Sequence, residues 1–335
     1  MPVLDETVYA YAVGRVRAME TRLIDHGRFE RMVDANTADE ALKILTETDY
    51  ANAIGEIDSV YNFETILAAE LKHTFDTILK ISPSPQQIAV LALRYDVHNL
   101  KVLFKEKFLG IKTELLIGAG TMATDKLELA INEEDFRDLP GRLRPVAEKI
   151  SEEFPLNRNP QLIDLALDQV LYAELLAEAV NNKADFLTGL FQRQIDLINI
   201  KSLIRIKRIG LDREFLRTVL LAGGCLPLDR LLALIDEPLE SVITSLAMSD
   251  YSELVSEGLR EWIDRGSAAR LEKLSDDYIT AYLKRGKWTP FGPEPLIGYL
   301  WAKEMEIKNI RLILVGKINK LPAEAIRERL RDGYL

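Results

Sequence analysis

An all-α chain made of three related helical units is what the sequence predicts, on three observations. Apolar residues recur at intervals of three and four, and few runs alternate, which is the period of a helix and not of a strand. Proline and glycine fall in clusters at Ser82-Pro83-Ser84-Pro85, Leu139-Pro140-Gly141, Gly223-Gly224 and Pro290-Phe291-Gly292-Pro293, which break helices without leaving a long linker. Three segments also align with one another: YDVHNLKVLFKEK, IDLINIKSLIRIK and MEIKNIRLILVGK. Their asparagines, Asn99, Asn199 and Asn309, are spaced by 100 and 110 residues. The chain therefore divides into helical units at 1–115, 116–222 and 223–335. Its 335 residues, 47% of them hydrophobic, are too many for most single cores.

In the first unit, NFETILAAELKHTFDTILK sets Phe63, Ile66, Leu67, Leu71, Phe75 and Ile78 on one broad stripe. SPSPQQIAVLALRYD carries a helix start, with Ser84 as N-cap, Pro85 at the first helical position and Gln87 three residues after the cap. In the second unit, LIDLALDQVLYAELLAEAV places Leu162, Leu165, Val170, Leu171, Leu175 and Leu176 on an apolar face, and REFLRTVLLA reads as helix. A second repeat accompanies the first. GAGTMATDKL, around Gly120 and Asp125, matches GGCLPLDRL, around Gly224 and Asp229. HGRFERMVDANTADEALKILTETDY resembles the segment from Gly224 to Tyr251, with Thr48-Asp49-Tyr50 answering Ser249-Asp250-Tyr251. Glycine after a helix permits the left-handed turn that stops it. The glycine pairs are thus expected to mark the joints at which one unit hands over to the next.

The aligned helices share an acid, an asparagine and a base. The acids are Asp96, Asp196 and Glu306, and the bases two residues after each asparagine are Lys101, Lys201 and Arg311. Leu103, Leu203 and Ile313 follow, then Lys107, Lys207 and Lys317. At about 100° per residue, acid, asparagine, leucine and the last lysine fall on one narrow stripe, beside an apolar face carrying Leu100 and Phe104 in the first copy. The acid lies N-terminal and the lysine C-terminal, the favourable order for the helix dipole. An asparagine at the edge of an apolar stripe can bond a neighbouring backbone and fix the helix's register; the sharper alternative is a metal or substrate site of Asp and Asn. Threefold recurrence favours the structural role, since a packing register must recur wherever the unit does.

The remaining chemistry is mostly exclusion. With 43 basic against 53 acidic residues and a formal charge of -10, the chain is not expected to bind nucleic acid. Cys225 is the only cysteine, which excludes a disulfide framework and a cysteine-based zinc site and fits a reducing compartment. It is expected to be buried as a small apolar residue. His26, His73 and His98 lack metal-ligand spacing. The sequence carries no P-loop, no G-x-S-x-G and no H-E-x-x-H, and acid pairs such as Glu133-Glu134 and Asp276-Asp277 read as surface. Arg205, Lys207 and Arg208 read as a solvated helix end, with contact to an acidic partner surface as the alternative. GAGTMA fits the literal G-x-G-x-x-A dinucleotide fingerprint, but that turn needs a preceding strand, and GGCLP breaks the pattern in the second copy. No cofactor, metal or catalytic residue is expected. No signal peptide or transmembrane run is read either, so the expected location is cytosolic, with attachment to a membrane complex through a partner.

With YAYAVGRVRAMETRLID (Arg15, Arg17, Ala18 and Met19), the ADEALKILTETDY segment and the three acid-x-x-Asn-x-base helices, the chain resembles the C subunits of V/A-type rotary ATPases, a family related to the d subunit of the eukaryotic V-ATPase. The likeness runs from about Tyr9 to Leu335, with Glu306 replacing aspartate in the third unit. It implies a funnel of pseudo-threefold symmetry that caps the membrane proteolipid ring on its cytoplasmic side and receives the foot of the shaft made by the D and F subunits. It also implies a rotor, or central-stalk, role without catalysis. The alternative is a helical-repeat scaffold with another partner. TPFGPEPLIGYLW, with the preceding Trp288, concentrates aromatic residues, and Trp288, Phe291 and Trp301 are candidates for contact with the ring or shaft; the alternative is that they pack the third unit.

Overall fold

The computed structural model describes residues 6–54, 59–113 and 116–334. Among them every regular element is a helix. In chain order these are α1 (Ala10–Glu20), α2 (His26–Asp34), α3 (Ala38–Ile44), α4 (Ala51–Ile54), α5 (Phe63–Ile81), α6 (Pro85–Leu109), α7 (Thr124–Glu133), α8 (Leu143–Asn157), α9 (Pro160–Asn181), α10 (Asp185–Ile209), α11 (Arg213–Val219), α12 (Leu228–Ala233), α13 (Glu240–Leu246), α14 (Ser252–Arg265), α15 (Ala269–Lys284), α16 (Glu294–Ile318) and α17 (Ala323–Arg327). Short 3₁₀ turns join several of them. The chain forms two compact units, one of Met1–Ile88 with Val242–Leu335 and one of Ala89–Ser241.

The three aligned segments lie on α6, α10 and α16, each 25 residues long. Each of these helices is followed by a residue in the left-handed conformation: Gly110 at φ 69°, Gly210 at 77° and, one residue later in the third copy, Lys320 at 56°. After α10 the Gly210 N–H bonds the Ile206 carbonyl at 3.0 Å and Leu211 N–H bonds the same oxygen at 3.2 Å, so the last carbonyls are satisfied where the helix stops.

In the first unit α16 is the central post. It packs against α1, α2, α3, α5 and α15. Leu296, Ile297, Leu300, Ile307, Ile310, Ile313 and Leu314 are buried around its circumference, as expected of a helix with neighbours on every side. All six residues of the stripe read on α5 are buried. The α14–α15 pair closes tightly at Gly258, where a Cβ would stand 2.9 Å from the Leu271 Cα.

In the second unit α10 packs on α9, α9 on α8, and α11 and α12 on α10. Phe154 of α8 stacks on Phe108 of α6 at 4.2 Å between ring centroids. The apolar face of α9 is centred on Ile163, Leu167, Val170, Leu171 and Leu175. Leu162, read from the sequence as part of that face, is 44% exposed. The helix is apolar over a wider arc than its neighbours cover. The excess lines an open groove of about 840 Å³ with Val146, Phe154, Leu165 and Phe215.

Candidate functional site

The sequence-selected acids and asparagines are the buried polar groups at the middle of the three long helices. Asp96, Asn99, Asp196 and Asn199 are fully buried, and Glu306 and Asn309 nearly so. Each asparagine grips one residue of a passing segment by both backbone groups. Asn99 Nδ2 donates to the Ile117 carbonyl and its Oδ1 accepts the Ile117 N–H, both at 2.8 Å. Asn199 makes the same pair with Leu221, again at 2.8 Å each way. Asn309 makes it with Arg331, at 3.0 and 2.8 Å. The amide thus acts as a one-residue strand partner, and it satisfies both main-chain groups of a segment that has no helix of its own there.

The carboxylate one turn earlier collects the next N–H groups. Asp96 accepts from the N–H of Thr121 at 2.9 Å and of Met122 at 3.1 Å, and from the Thr121 hydroxyl. Asp196 accepts from Cys225 N–H and Leu226 N–H, both at 3.0 Å. Glu306 accepts from Ile24 N–H at 2.5 Å and from the Tyr50 hydroxyl at 2.9 Å. The register is constant. Met122, Leu226 and Ile24 each stand immediately before the N-cap of the next short helix, at Ala123, Pro227 and Asp25. Two joints grip one continuous loop. The third grips two segments of opposite ends of the chain, Arg331 and Ile24, on one helix.

The glycine pairs have a different reason from the one read in the sequence. Neither Gly120 nor Gly224 adopts the left-handed conformation; of the pair at the second joint only Gly223 does, at φ 99°. A Cβ at Gly120 or Gly224 would lie 2.1 Å from the Oδ1 of Asp96 or Asp196. Glycine is needed because the carboxylate touches the backbone. The third joint has Arg22 at the corresponding place, two residues before Ile24, and there the acid is glutamate, one methylene longer than aspartate. The stretch 116–122 contains no strand, so the dinucleotide reading loses the element it requires. Of IKTELLI, residues 114 and 115 lie outside the described residues, and those that are described form no helix, unlike α11 in the second copy.

Electrostatics separate the third joint from the others. Burial raises the Asp96 carboxyl above its usual range, against the lowering effect of its bonds from Thr121 and Met122. Around Glu306 a compensated cluster is buried instead. Lys303 Nζ lies 2.8 Å from Glu306 Oε1 and 3.1 Å from Glu70 Oε1, and 5.2 Å from the centre of the Tyr50 ring. Burial alone would depress Lys303, but the carboxylates of Glu306 and Glu70 and the Tyr299 hydroxyl overcome it and hold the ammonium above its ordinary value. Burial pushes Glu70 up, only partly offset by Lys303, because one ammonium faces two carboxylates. These two shifts pull against each other. A lysine 1% exposed among acids must be charged, and the strain of the surplus negative charge falls on Glu70. Burial, then the same two carboxylates, lifts Tyr50 well above its usual value, and burial takes Tyr299 to about 12.

The bases of the motif serve as ties. Lys101 pairs with Asp168 of α9 at 2.6 Å, and Arg311 forks onto Glu64 of α5 at 2.6 and 2.8 Å. Lys201 is half-buried on α10. Lys107 donates to the Ile131 carbonyl at 2.7 Å, and Lys207 to the carbonyls of Leu234 and Ile235 at 2.7 and 2.8 Å and also to that of Glu237. Lys207 is therefore not a solvated helix end, as read in the sequence, but a cap on the carbonyls that follow α12. Its place in the aligned motif is the signal for this. Cys225 is exposed, not buried, because its backbone N–H faces Asp196 and turns the side chain outward. Trp301 is also not a surface group: it is buried and its indole N–H bonds Thr280 Oγ1 at 2.9 Å. Trp288, at 85% exposure, and Phe291, at 41%, do face outward. The repeated Thr48 and Ser249 hydroxyls each donate three residues back and accept the N–H of Tyr50 or Tyr251 two residues on. Among the described residues no group of three or more His, Cys, Asp or Glu is placed to hold a metal ion.

Every lone pair at the joints that meets a backbone N–H is committed to holding chain against chain, an architectural use of carboxylate and amide. The family model described as ATP synthase (C/AC39) subunit matches residues 12–329, nearly the whole chain. The chain belongs to that family. It is 30% identical to the C subunit of the V-type sodium ATPase of Enterococcus hirae, over 95% of its own length and 97% of that protein's. It is also 30% identical to the C subunit of the A-type ATP synthase of Methanocaldococcus jannaschii, over 98% of this chain and 87% of that one, and 26% identical to its namesake in Methanosarcina mazei. The C/AC39 chain is thus part of a V/A-type rotary ATPase, and no helix among its described residues is long and apolar enough to cross a membrane.

Proposed function

We propose that this C/AC39 protein is a non-catalytic central-stalk coupler. It sits on the cytoplasmic face of the proteolipid ring, receives the foot of the D–F shaft, and passes torque between proton or sodium movement in the ring and ATP chemistry in the head. Three units, 1–115, 116–222 and 223–335, would close as a funnel about the rotation axis.

The observation that carries this reading is the recurrence of one joint in one register, with its third copy taking both Ile24 and Arg331. Each long helix holds the segment that opens the following unit, and α16 of the last unit holds the segment that opens the first. The ties from the motif's bases run the same way, from α6 to α9 and from α16 to α5. Such an order is cyclic, and it suits a part that sits astride an axis. Rigidity matters equally. A coupler stores little energy in itself only if its internal contacts are stiff, and a buried amide with both bonds made to a backbone offers no second register.

The test is capture by the purified ring and by a D–F shaft, each assayed separately. Binding to both supports the coupler. Binding to neither overturns it in favour of a helical scaffold for some other partner.

A further inference from the structure

We propose that the tip formed by Lys284, Arg285, Lys287, Trp288 and Phe291 seats on an anionic lipid surface, with the cations on headgroup phosphates and the two aromatic rings at the level of the headgroups. This goes beyond the coupling role and requires neither ring nor shaft.

From Lys284 to Phe291 the sequence reads KRGKWTPF, three cations and no acid in a chain of formal charge -10. Trp288 is 85% exposed, whereas Trp262 and Trp301 are buried. Phe291 follows three residues later at 41% exposure. A large exposed indole beside an exposed phenyl ring is costly to leave in water.

The tip is built, not loose. Arg285–Trp288 forms a 3₁₀ turn closed by Thr289 N–H on the Gly286 carbonyl at 3.1 Å. Gly286 is buried beneath it. The Arg17 guanidinium of α1 donates to the Lys287 carbonyl and at the same time pairs with Glu20 at 2.8 Å. Arg285 lies 5.7 Å from the centre of the Tyr282 ring and Lys287 Nζ 5.5 Å from that of Tyr334, so both cations are braced by aromatic faces. Glu20 is committed to Arg17, and the Oε2 of Glu294 is buried beside Gly292, where a Cβ would lie 2.2 Å from it.

The shape chooses lipid over a protein partner. Trp288 projects from a turn and is not sunk in a groove. A projecting ring needs a matching pocket on a protein, but no pocket in a fluid interface. Tryptophan and cations together are the composition that membrane–water interfaces favour. Trp288 is also the one exposed tryptophan of three, so a blue shift of the summed emission on binding comes from its ring.

The experiment adds vesicles to the purified full chain and follows tryptophan emission and co-sedimentation. One set is phosphatidylcholine and the other equimolar phosphatidylcholine and phosphatidylglycerol. The anionic vesicles should shift emission to the blue and sediment the protein; the zwitterionic ones should do neither, and added salt should reverse the effect. Trp288→Ser should keep the far-ultraviolet circular dichroism and lose the shift. Arg285→Gln and Lys287→Gln should each weaken sedimentation about fivefold. The proposal is overturned by no shift on anionic vesicles, by an equal shift on zwitterionic ones, or by a shift that survives Trp288→Ser. A chain that binds ring and shaft but no vesicle loses this proposal and keeps the coupling role. If Trp288→Ser abolishes capture by the detergent-solubilised ring while vesicles do not bind, the tip meets protein.

Discussion

Replacing Asn199 with alanine removes two hydrogen bonds of 2.8 Å from a fully buried site and leaves both the N–H and the carbonyl of Leu221 without their partner. Leu221 is itself buried, so water does not replace the amide. Each stranded group costs about 1–3 kcal/mol, giving about 2–6 kcal/mol for the pair. At about 2 °C per kcal/mol for a chain of this size, the melting midpoint should fall by about 4–12 °C. Thermal and urea unfolding followed by circular dichroism measure it. Asn199→Asp adds a sign. Its carboxylate can still accept the Leu221 N–H but meets the carbonyl oxygen with a second oxygen, beside Asp196 one turn away. When protonated, the same group donates to that carbonyl. Burial and Asp196 raise its folded-state pKa, so the stability it contributes is present below the usual carboxylic acid range and is lost as pH rises through the folded value. The aspartate variant should therefore approach the parent in acid and separate from it towards neutrality. If Asn199→Ala melts within about 1 °C of the parent, the clamp is not what holds Leu221, and the reasoning fails.

Four further outcomes follow from the same geometry. Gly224→Ala puts a methyl group 2.1 Å from Asp196 Oδ1 and should cost about 1–3 kcal/mol by urea titration, whereas Gly210→Ala, with nothing within 4 Å, should suffer only from its left-handed backbone. Lys303→Met leaves Glu306 and Glu70 without their cation and should cost about 3–5 kcal/mol at neutral pH, with a smaller loss in acid as Glu70 takes up a proton. In the parent protein Lys303 has a raised folded-state pKa, so its stabilising contribution is complete below the ordinary lysine value of 10.5 and is lost as pH rises through the higher folded one; alkaline unfolding of the parent should be sharper than that of Lys303→Met. Asn309→Ala should cost less than Asn199→Ala, because Arg331 is half-buried and water can reach the two groups it frees.

How much of this is legible in the sequence is clearest at the joints. The alignment picks out one acid and one asparagine on each long helix, because a repeated packing register leaves a repeated spacing. What it does not give is the partner. Ile117 and Leu221 lie 18 and 22 residues beyond their asparagines, outside the helix whose period carries the signal. Ile24 lies 282 residues before Glu306, where no local pattern reaches. The glycines stand out for an incomplete reason: Gly120 and Gly224 read as helix stops, and only the position of the aspartate shows that they make room. Lys303 escapes notice because a lysine inside an apolar helix reads as surface, although here its charge is matched by Glu70, a residue 233 positions away. The α9 face is misplaced at Leu162 since that helix is apolar beyond the arc its neighbours cover. Trp301 stands out for its aromatic company, which cannot distinguish a buried indole bonded to Thr280 from an exposed one such as Trp288.

This protein is proposed to join rotation of the ring to rotation of the shaft. This role is tested most directly by reconstituting the rotary complex in sealed vesicles with and without the C/AC39 chain, and measuring ATP hydrolysis and ion uptake on the same preparation. Without it, the head should still hydrolyse ATP while uptake per ATP falls to background, and adding the purified chain back should restore uptake. Uptake per ATP that is unchanged in its absence would contradict the account.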